Sequence, residues 1–134
     1  MKLSDAKKHR AALGRKGENK ACSFLKHHGM IILARNWRCR AGELDIVALD
    51  GDELVFAEVK TIRAKNGFLP SFNLSPRQRK RNYHAAKVYM RSLDITGHAG
   101  RFDLLEVILG NWFSVNINHH RDYLPPLPPR EELP

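Results

Sequence analysis

Two acids and a lysine fall within one predicted β-hairpin. Asp45 lies on one apolar segment, Glu58 and Lys60 lie on the next, and the turn sequence Asp-Gly-Asp-Glu occupies positions 50–53 between them. If the turn centres on its Gly-Asp pair, Asp45 lies directly opposite Glu58, and Glu43 lies opposite Lys60. A turn centred one residue earlier leaves Asp45 and Glu58 diagonal on the same face of the sheet. Both registers bring two carboxylates together beside an amine.

Such a carboxylate pair needs a compensating group. Directly opposed side chains have Cβ atoms about 5 Å apart, and two unit charges at that distance repel by roughly 3 kcal/mol at an effective dielectric constant of about 20. The Lys60 ammonium, protonation of one acid, or a divalent cation would each offset this repulsion. Carboxylate oxygens on rigid strands suit Mg²⁺ or Mn²⁺ as the cation.

A third acid is predicted to reach the same place from a helix. Residues 6–29 show Ala21, Cys22 and Leu25 at helical spacing, and Glu18 lies three, four and seven positions before them. Glu18 therefore projects from the apolar face, where an unpaired carboxylate costs several kcal/mol. Three acids against one lysine leave a charge of −2, which matches one divalent cation. The alternative is a half-exposed strand pair with ordinary solvated charges.

Apolar periodicity and turn residues predict the elements that position these side chains. The run Ser75-Pro76-Arg77-Gln78 begins a second helix, because it supplies a capping hydroxyl, an early proline and a glutamine three residues after the cap. Residues 62–74 carry Gly and Pro without a sustained period, which predicts a loop. The order helix, three strands, helix, two strands predicts an α/β sandwich of mixed sheet. The predicted strands are residues 31–39, 44–49, 54–61, 101–109 and 112–118.

The length of 134 residues fits one domain. Five of the seven prolines lie in residues 125–134. We therefore expect a single domain over residues 1–120, followed by an extended proline-rich tail over residues 121–134 outside the core. A scaffold whose tail docks in a groove for proline-rich peptides is the alternative role for that segment. Within the domain, Arg101 and Asp103 occupy alternate strand positions, which indicates a local ion pair rather than a catalytic role.

The excess of basic residues is concentrated at the start of the chain. The 23 Lys and Arg exceed the 14 Asp and Glu by nine, and residues 1–40 alone hold 11 basic and two acidic residues. Residues 41–58 contain six acids and no base, whereas residues 75–91 contain six bases and no acid. Basic segments on both sides of an acidic hairpin indicate a polyanionic partner such as nucleic acid. An anionic membrane surface is the alternative.

Composition also argues against several classes of protein. The longest membrane-like stretch, residues 29–34, is far shorter than the about 20 residues of a spanning helix, so we expect no membrane partner. The charged start of the chain lacks the apolar stretch of a secretory signal. Two cysteines, Cys22 and Cys39, do not form a disulfide framework. We therefore expect a soluble, cytoplasmic protein. The adjacent histidines at 27–28 and 119–120 diverge in direction and lack zinc-ligand spacing.

Several short motifs, in order along the chain, resemble those of a known family. They are Gly17-Glu18, Gly42-Glu43-Leu44-Asp45-Ile46, Phe56-Ala57-Glu58-Val59-Lys60 and Arg101-Phe102-Asp103. Together they resemble the YraN-like uncharacterised bacterial family, which is itself similar to the PD-(D/E)XK nucleases, including archaeal Holliday-junction resolvases. An Asp, spacer, Glu-x-Lys pattern alone arises often by chance, whereas the whole ordered set over about residues 14–109 is specific.

The resemblance implies a restriction-endonuclease-like fold, a three-layer α/β sandwich with a mixed central sheet flanked by helices. It implies that Asp45 and Glu58 are metal ligands, that Lys60 is the catalytic lysine and that Glu18 is the acid contributed by the first helix. The implied cofactor is Mg²⁺ or Mn²⁺. The implied partner is nucleic acid, and we expect DNA rather than RNA. Since resolvases act as dimers on two-fold symmetric junctions, a homodimer is a candidate assembly.

Two departures from the family pattern concern phosphate binding. The family usually has Lys where this chain has Gln78, and its Glu-Val-Lys-Thr-Arg motif has the arginine one position earlier than Arg63. On a strand, that shift turns the arginine to the opposite face. Basic residues of the first helix, the first strand and the second helix are expected to contact backbone phosphates, which positions nucleic acid without reading its sequence. The predicted nucleic-acid-binding residues are Arg15, Lys16, Arg38, Arg40, Arg77, Gln78, Lys80 and Arg81.

The predicted function is metal-dependent hydrolysis of phosphodiester bonds in nucleic acid, with structured or branched DNA as the expected substrate. The competing class is a nucleic-acid-binding module that keeps the nuclease-like fold without turnover. Both predict salt-sensitive binding. Only the nuclease predicts metal affinity that depends on Asp45 and Glu58.

Overall fold

A computed structural model describes residues 3–64, 74–93, 97–112 and 114–134. The elements follow the predicted order of one helix, three strands, one helix and two strands. Their bounds are α1 Leu3–His27, β1 Ile31–Cys39, β2 Gly42–Asp50, β3 Glu53–Arg63, α2 Pro76–Ser92, β4 Gly100–Leu109 and β5 Val115–Leu127, followed by a 3₁₀ turn at Arg130–Glu132.

The five strands form one mixed sheet in the spatial order β1-β2-β3-β4-β5. The β3–β4 pair is parallel, and the other three pairs are antiparallel. A parallel pair needs a crossover connection, and the segment that contains α2 provides it. Helix α1 packs on one face of the sheet and α2 on the other. The predicted three-layer α/β architecture with a mixed sheet is confirmed.

Alternate residues of β3 serve two separate hydrophobic cores. Val55 and Ala57 belong to the buried cluster beneath α1, whereas Leu54 and Phe56 belong to the cluster beneath α2. Burial of a large apolar side chain such as Leu54 or Phe56 contributes about 1.5–3 kcal/mol to the free energy of unfolding. Because side chains alternate along a strand, Glu58 continues the series that faces α2. The core thus places the acid at the end of a buried apolar row.

The start of α2 is fixed by its own sequence. Ser75 has extended backbone angles, and its hydroxyl oxygen accepts a 3.1 Å hydrogen bond from the backbone N–H of Gln78. Pro76 occupies the first helical position, where its missing N–H costs nothing. This cap confirms the predicted helix start and holds Gln78 in the first turn.

Strand β5 extends beyond the predicted end of the domain. Leu124 and Leu127 pair with β4 and are buried in the cluster beneath α2. The hydroxyl of Tyr83 donates a hydrogen bond to the carbonyl of Pro125. The expectation that residues 121–134 lie outside the core is therefore wrong for this strand. Its prolines are tolerated because β5 is an edge strand, where a missing N–H need not break the ladder.

Other expectations have mixed outcomes. Of the loop predicted for residues 62–74, Ile62 and Arg63 continue β3, and residues 65–73 lie outside the described residues. Cys22 is buried and Cys39 is half-buried, and both are free thiols. In the part of the chain that the structure describes, no helix combines the length and apolar composition that a bilayer crossing requires.

Candidate active site

Of the two registers that the turn sequence allowed, the β2–β3 hairpin has the one centred on Gly51-Asp52. Asp50 pairs with Glu53, and the ladder continues to Ile46 opposite Ala57. Beyond this last pair the carboxylate of Asp45 accepts a 2.9 Å hydrogen bond from the backbone N–H of Val59. The side chain of Asp45 is thereby tied to β3, one residue from Glu58.

Strand β2 is irregular at Asp45. Leu44 and Ile46 are two residues apart and would normally share a face, yet Leu44 belongs to the cluster beneath α2 and Ile46 to the cluster beneath α1. On the neighbouring strand β1, Asn36 has a φ of 50°, in the left-handed region. These departures from regular strand geometry give Asp45 an orientation that period-two alternation alone does not specify.

Glu58 is held between a helix and a cation. Its Oε1 accepts a 2.6 Å hydrogen bond from the side-chain amide of Gln78 and lies 3.6 Å from the ammonium of Lys60. The side chain is only 11% exposed. Burial, together with the negative charge of Asp45, raises the pKa of Glu58 to about 8, although Lys60 opposes the shift.

The surroundings of Asp45 likewise disfavour the charged form of its carboxyl group. Burial raises its pKa; the Val59 N–H opposes this, and the charge of Glu18 adds to it. Two neighbouring acids with raised pKa values are a pair that cannot easily carry two negative charges at once. A cation bound between them would favour the doubly ionised state.

All four predicted catalytic residues line one cleft. Its volume is about 570 Å³, and one of its walls is the first turns of α2. Asp45, Glu58 and Lys60 come from the hairpin, whereas Glu18 comes from α1 on the opposite face of the sheet. The structure thus brings Glu18 into the cleft of the hairpin acids, although α1 packs on the other face of the sheet from α2. The residues lining the cleft are Glu18, Glu43, Asp45, Glu58, Val59, Lys60, Ser75, Arg77, Gln78, Arg81 and Asn82.

A close helix–strand contact positions Glu18. A Cβ atom added to Gly17 would lie 1.7 Å from Oγ1 of Thr61, so only glycine fits at this position. The missing side chain lets α1 approach β3 next to Lys60. The following residue, Glu18, thus reaches the cleft.

The predicted nucleic-acid-binding residues divide into two groups. Arg77, Gln78 and Arg81 line the cleft that holds the acids. Arg38 lies 3.6 Å from Glu43 at the β1–β2 hairpin and is exposed. The structure does not bring the rest into the lining of this cleft. Those residues are Arg15, Lys16, Arg40 and Lys80, all exposed, of which Lys16 lines a second cleft.

The donor set of the cleft fits a hard divalent cation with few protein ligands. Among the described residues, no three His, Cys, Asp or Glu side chains are close enough to enclose a metal ion. Mg²⁺ commonly uses only one or two carboxylates and completes its coordination with water and substrate phosphate oxygens. Asp45 and Glu58 provide that number of carboxylates, and Glu18 is a further acid in the same cleft.

Arg101 and Asp103 form the predicted ion pair within a larger network. Two nitrogens of Arg101 donate 2.9 Å hydrogen bonds to the two carboxylate oxygens of Asp103. Arg101 also donates to Asp50 at 3.1 Å and to Glu53 at 2.9 Å, and His119 lies 2.7 Å from Asp103. Burial alone would raise the pKa of Asp103, but His119 and Arg101 lower it overall. The network is structural, since none of its members lines the cleft.

Some of the site was not foreseen. Ser75 and Asn82 line the cleft, and neither was proposed to contact a ligand. Gln78 was expected at a phosphate, whereas here its amide bonds to Glu58. The capping pattern of Ser75, with Gln78 three residues later, predicted that these two residues share the first turn of a helix. It did not indicate which acid that turn faces.

The fold and the cleft together define an α/β protein whose acid pair, flanked by a lysine and arginines, lies on the inner strands β2 and β3 of a mixed sheet. The chain belongs to a bacterial family described as "Uncharacterised protein family UPF0102", whose sequence profile matches residues 17–107. The matched range contains Glu18, Asp45, Glu58 and Lys60. The predicted membership of the YraN-like family is thus confirmed, and the similarity to nucleases stays a prediction.

Individual relatives cover the chain to different extents. A UPF0102 protein of Oleidesulfovibrio alaskensis is 47% identical over 94 residues, which are 70% of this chain and 46% of that protein. A UPF0102 protein of Streptomyces griseus is 48% identical over 81 residues, 60% of this chain and 68% of that protein. A UPF0102 protein of Rhodococcus opacus is 37% identical over 114 residues, 85% of this chain and 97% of that protein. The chain therefore spans less than half of the first relative and nearly all of the third.

Proposed function

We propose that the protein is a metal-dependent phosphodiesterase that hydrolyses nucleic acid, with DNA as the first substrate to test. The observation that carries the proposal is the acid pair Asp45 and Glu58, held side by side in a cleft that also presents Lys60, Arg77 and Arg81. Acids alone would repel a polyanion. Acids that hold a cation, with arginines around them, would attract a phosphate group.

The carboxylates of Asp45 and Glu58, with the carbonyl of Val59, would hold Mg²⁺ or Mn²⁺, and Glu18 would contribute through a bound water. When bound, such an ion supplies polarisation of a phosphodiester oxygen and a lower pKa for water. The two acids must both be ionised to bind it, so metal affinity rises with pH. The raised pKa of Glu58, about 8, places that dependence near neutrality.

The other residues of the cleft would act on the phosphate. In hydrolysis a water oxygen bonds to phosphorus, the bond from phosphorus to the leaving sugar oxygen breaks, and that oxygen gains a proton. The Lys60 ammonium, 3.6 Å from Glu58, would stabilise the negative charge that develops on the phosphoryl oxygens. Arg77 and Arg81 would hold the neighbouring backbone phosphates, and these contacts carry no sequence preference.

The test is cleavage of end-labelled oligonucleotides by purified protein. The panel comprises branched DNA, linear duplex DNA, single-stranded DNA and structured RNA, each with Mg²⁺, with Mn²⁺ or with EDTA. We expect cleavage that requires the metal and that is lost in Asp45→Asn, Glu58→Gln and Lys60→Met. The matched controls Asp52→Asn, in the exposed hairpin turn, and Glu132→Gln, near the chain end, should cleave as the wild type does.

Absence of cleavage across the whole panel, in folded protein, would contradict the proposal. Contaminating nuclease is recognised because its activity persists in Asp45→Asn. Salt-sensitive binding without turnover, unaffected by metal and by Glu58→Gln, would instead identify a non-catalytic nucleic-acid-binding module.

A further inference from the structure

A second cleft lies between α1, the end of β3 and the β4–β5 connection. Its volume is about 390 Å³. Lys16 and Lys20 of α1 and Arg63 of β3 contribute three cations to its lining. Among the described residues that line it, none is acidic. This cleft is therefore suited to an anion without any bound metal.

Trp112 lines the same cleft and is 93% exposed. Its φ of 58° lies in the left-handed region, which bulky residues rarely adopt. Two hydrogen bonds fix the connection that carries it: Gly110 N–H to the Ser114 carbonyl at 2.9 Å, and Ser114 N–H to the Asn111 carbonyl at 3.2 Å. A bulky aromatic residue held in this strained conformation and outside the core indicates a role in binding.

We propose that this second cleft binds a single-stranded segment of nucleic acid, with one base stacked on Trp112 and adjacent phosphates on Lys16, Lys20 and Arg63. Proteins that bind single strands combine a basic groove with aromatic platforms in this way, because every base has a π-face. An acidic peptide would satisfy the three cations but would leave the indole without a flat partner. The combination of indole and cations therefore favours a nucleotide.

The two clefts share their supporting elements. Helix α1 supplies Glu18 to the first cleft and Lys16 and Lys20 to the second, while β3 supplies Lys60 and Arg63 respectively. Lys60 and Arg63 are three positions apart on the strand, so their side chains point to opposite faces and the two clefts open on different sides of β3. That one nucleic acid occupies both clefts rests on the proposed function. The binding itself requires no hydrolysis.

Fluorescence tests the stacking contact directly. The chain has two tryptophans, and Trp37 packs edge-on against Tyr89 with ring centroids 5.3 Å apart. In a Trp37→Phe variant, Trp112 is the sole indole. We titrate this variant with oligothymidylate in EDTA and expect saturable quenching of the Trp112 emission. Unchanged emission at saturating oligonucleotide would overturn the proposal.

Affinity measurements separate stacking from charge. Trp112→Ala should weaken oligothymidylate binding by about 5-fold to 150-fold, and Trp112→Phe should weaken it less. Heparin, a polyanion without bases, should bind wild type and Trp112→Ala equally. If wild type and Trp112→Ala bind oligothymidylate with equal affinity, the stacking contact is overturned. If Trp112→Ala weakens heparin binding as much as oligothymidylate binding, the nucleic-acid assignment is overturned.

The same titrations in an Asp45→Asn background keep this proposal separate from the proposed function. We expect the dependence on Trp112 to persist there, since the second cleft needs no metal. If hydrolysis proves absent while this dependence persists, the phosphodiesterase proposal fails and the binding site stands. If hydrolysis is present and the dependence is absent, the reverse holds.

Discussion

The side-chain amide of Gln78 donates a 2.6 Å hydrogen bond to Oε1 of Glu58. This contact joins the first turn of α2, capped by Ser75, to the acid pair at the end of the buried apolar row of β3. Gln78 thus orients Glu58, the acid that the proposed function makes a metal ligand.

The first prediction concerns this hydrogen bond. Groups that orient metal ligands typically contribute 10-fold to 100-fold to metal affinity, so we expect Gln78→Ala to weaken Mn²⁺ binding by about that factor. Calorimetric titration with Mn²⁺ measures the effect. His84→Ala, an exposed change on the same helix, is the control and should bind as the wild type does. Wild-type Mn²⁺ affinity in Gln78→Ala would show that the hydrogen bond does not position Glu58 for metal.

The second prediction is a pH dependence of stability in EDTA. The pKa of Glu58 is about 8 in the folded protein and about 4.3 in an unfolded chain. Between these values the folded state holds a proton that the unfolded state has released. The free energy of unfolding should therefore fall as pH rises from about 4.5 to about 8.

Urea denaturation of wild type and Glu58→Gln at several pH values measures this slope. Because glutamine does not titrate, the variant should show a flatter profile and exceed the wild type in stability near the upper end of the range. The lowered pKa of Asp103 acts in a different window, since its stabilising contribution is lost only as pH falls below about 4. A wild-type profile as flat as that of Glu58→Gln would contradict the prediction.

The third prediction concerns the buried network around Asp103. Removing its charge leaves Arg101 buried without its principal partner, so we expect Asp103→Asn to destabilise the protein by about 3–5 kcal/mol. Glu106→Gln alters the partner of the exposed His120 and should cost less than about 1 kcal/mol. Both are measured by urea denaturation at pH 7. Equal stabilities for the two variants would show that the buried network does not contribute to the free energy of unfolding.

The fourth prediction concerns the contact between α1 and β3. In Gly17→Ala the added methyl group would overlap the side chain of Thr61. We expect it to lower the free energy of unfolding by about 1–3 kcal/mol. Thr61→Ala removes the nearest atom, Oγ1, together with Cγ2, so the two changes should be coupled in a double-mutant cycle. Gly14→Ala is the matched control on α1, where nothing lies within 4 Å of an added Cβ, and it should stabilise the helix. Additive effects of the Gly17 and Thr61 changes would contradict the close contact.

Short sequence patterns were sufficient to predict much of the fold and the proximity of the two acids. The turn residues limited the hairpin to two registers, both of which bring Asp45 near Glu58, and Ser75 with Pro76 predicted the start of α2. Each of these depends on residues that are neighbours in the chain or across one turn. Such interactions are encoded by short patterns, so a sequence reveals them.

Features that depend on distant segments were less accessible. The contact of Gln78 with Glu58 requires the crossover to place α2 over the end of β3, which no local spacing specifies. The prolines near the end of the chain indicated a tail, but Leu124 and Leu127 find a buried place only because β5 completes the sheet. The irregularity at Asp45, between Leu44 in one core cluster and Ile46 in the other, is likewise not indicated by the apolar spacing.

The most direct test of the central claim is anomalous diffraction from crystals soaked in MnCl₂. We expect a manganese peak between the carboxylates of Asp45 and Glu58, at metal–oxygen distances of about 2.0–2.2 Å, and its loss in crystals of Asp45→Asn. Manganese bound elsewhere, with no peak between these two acids in well-ordered crystals at pH 8, would contradict the account.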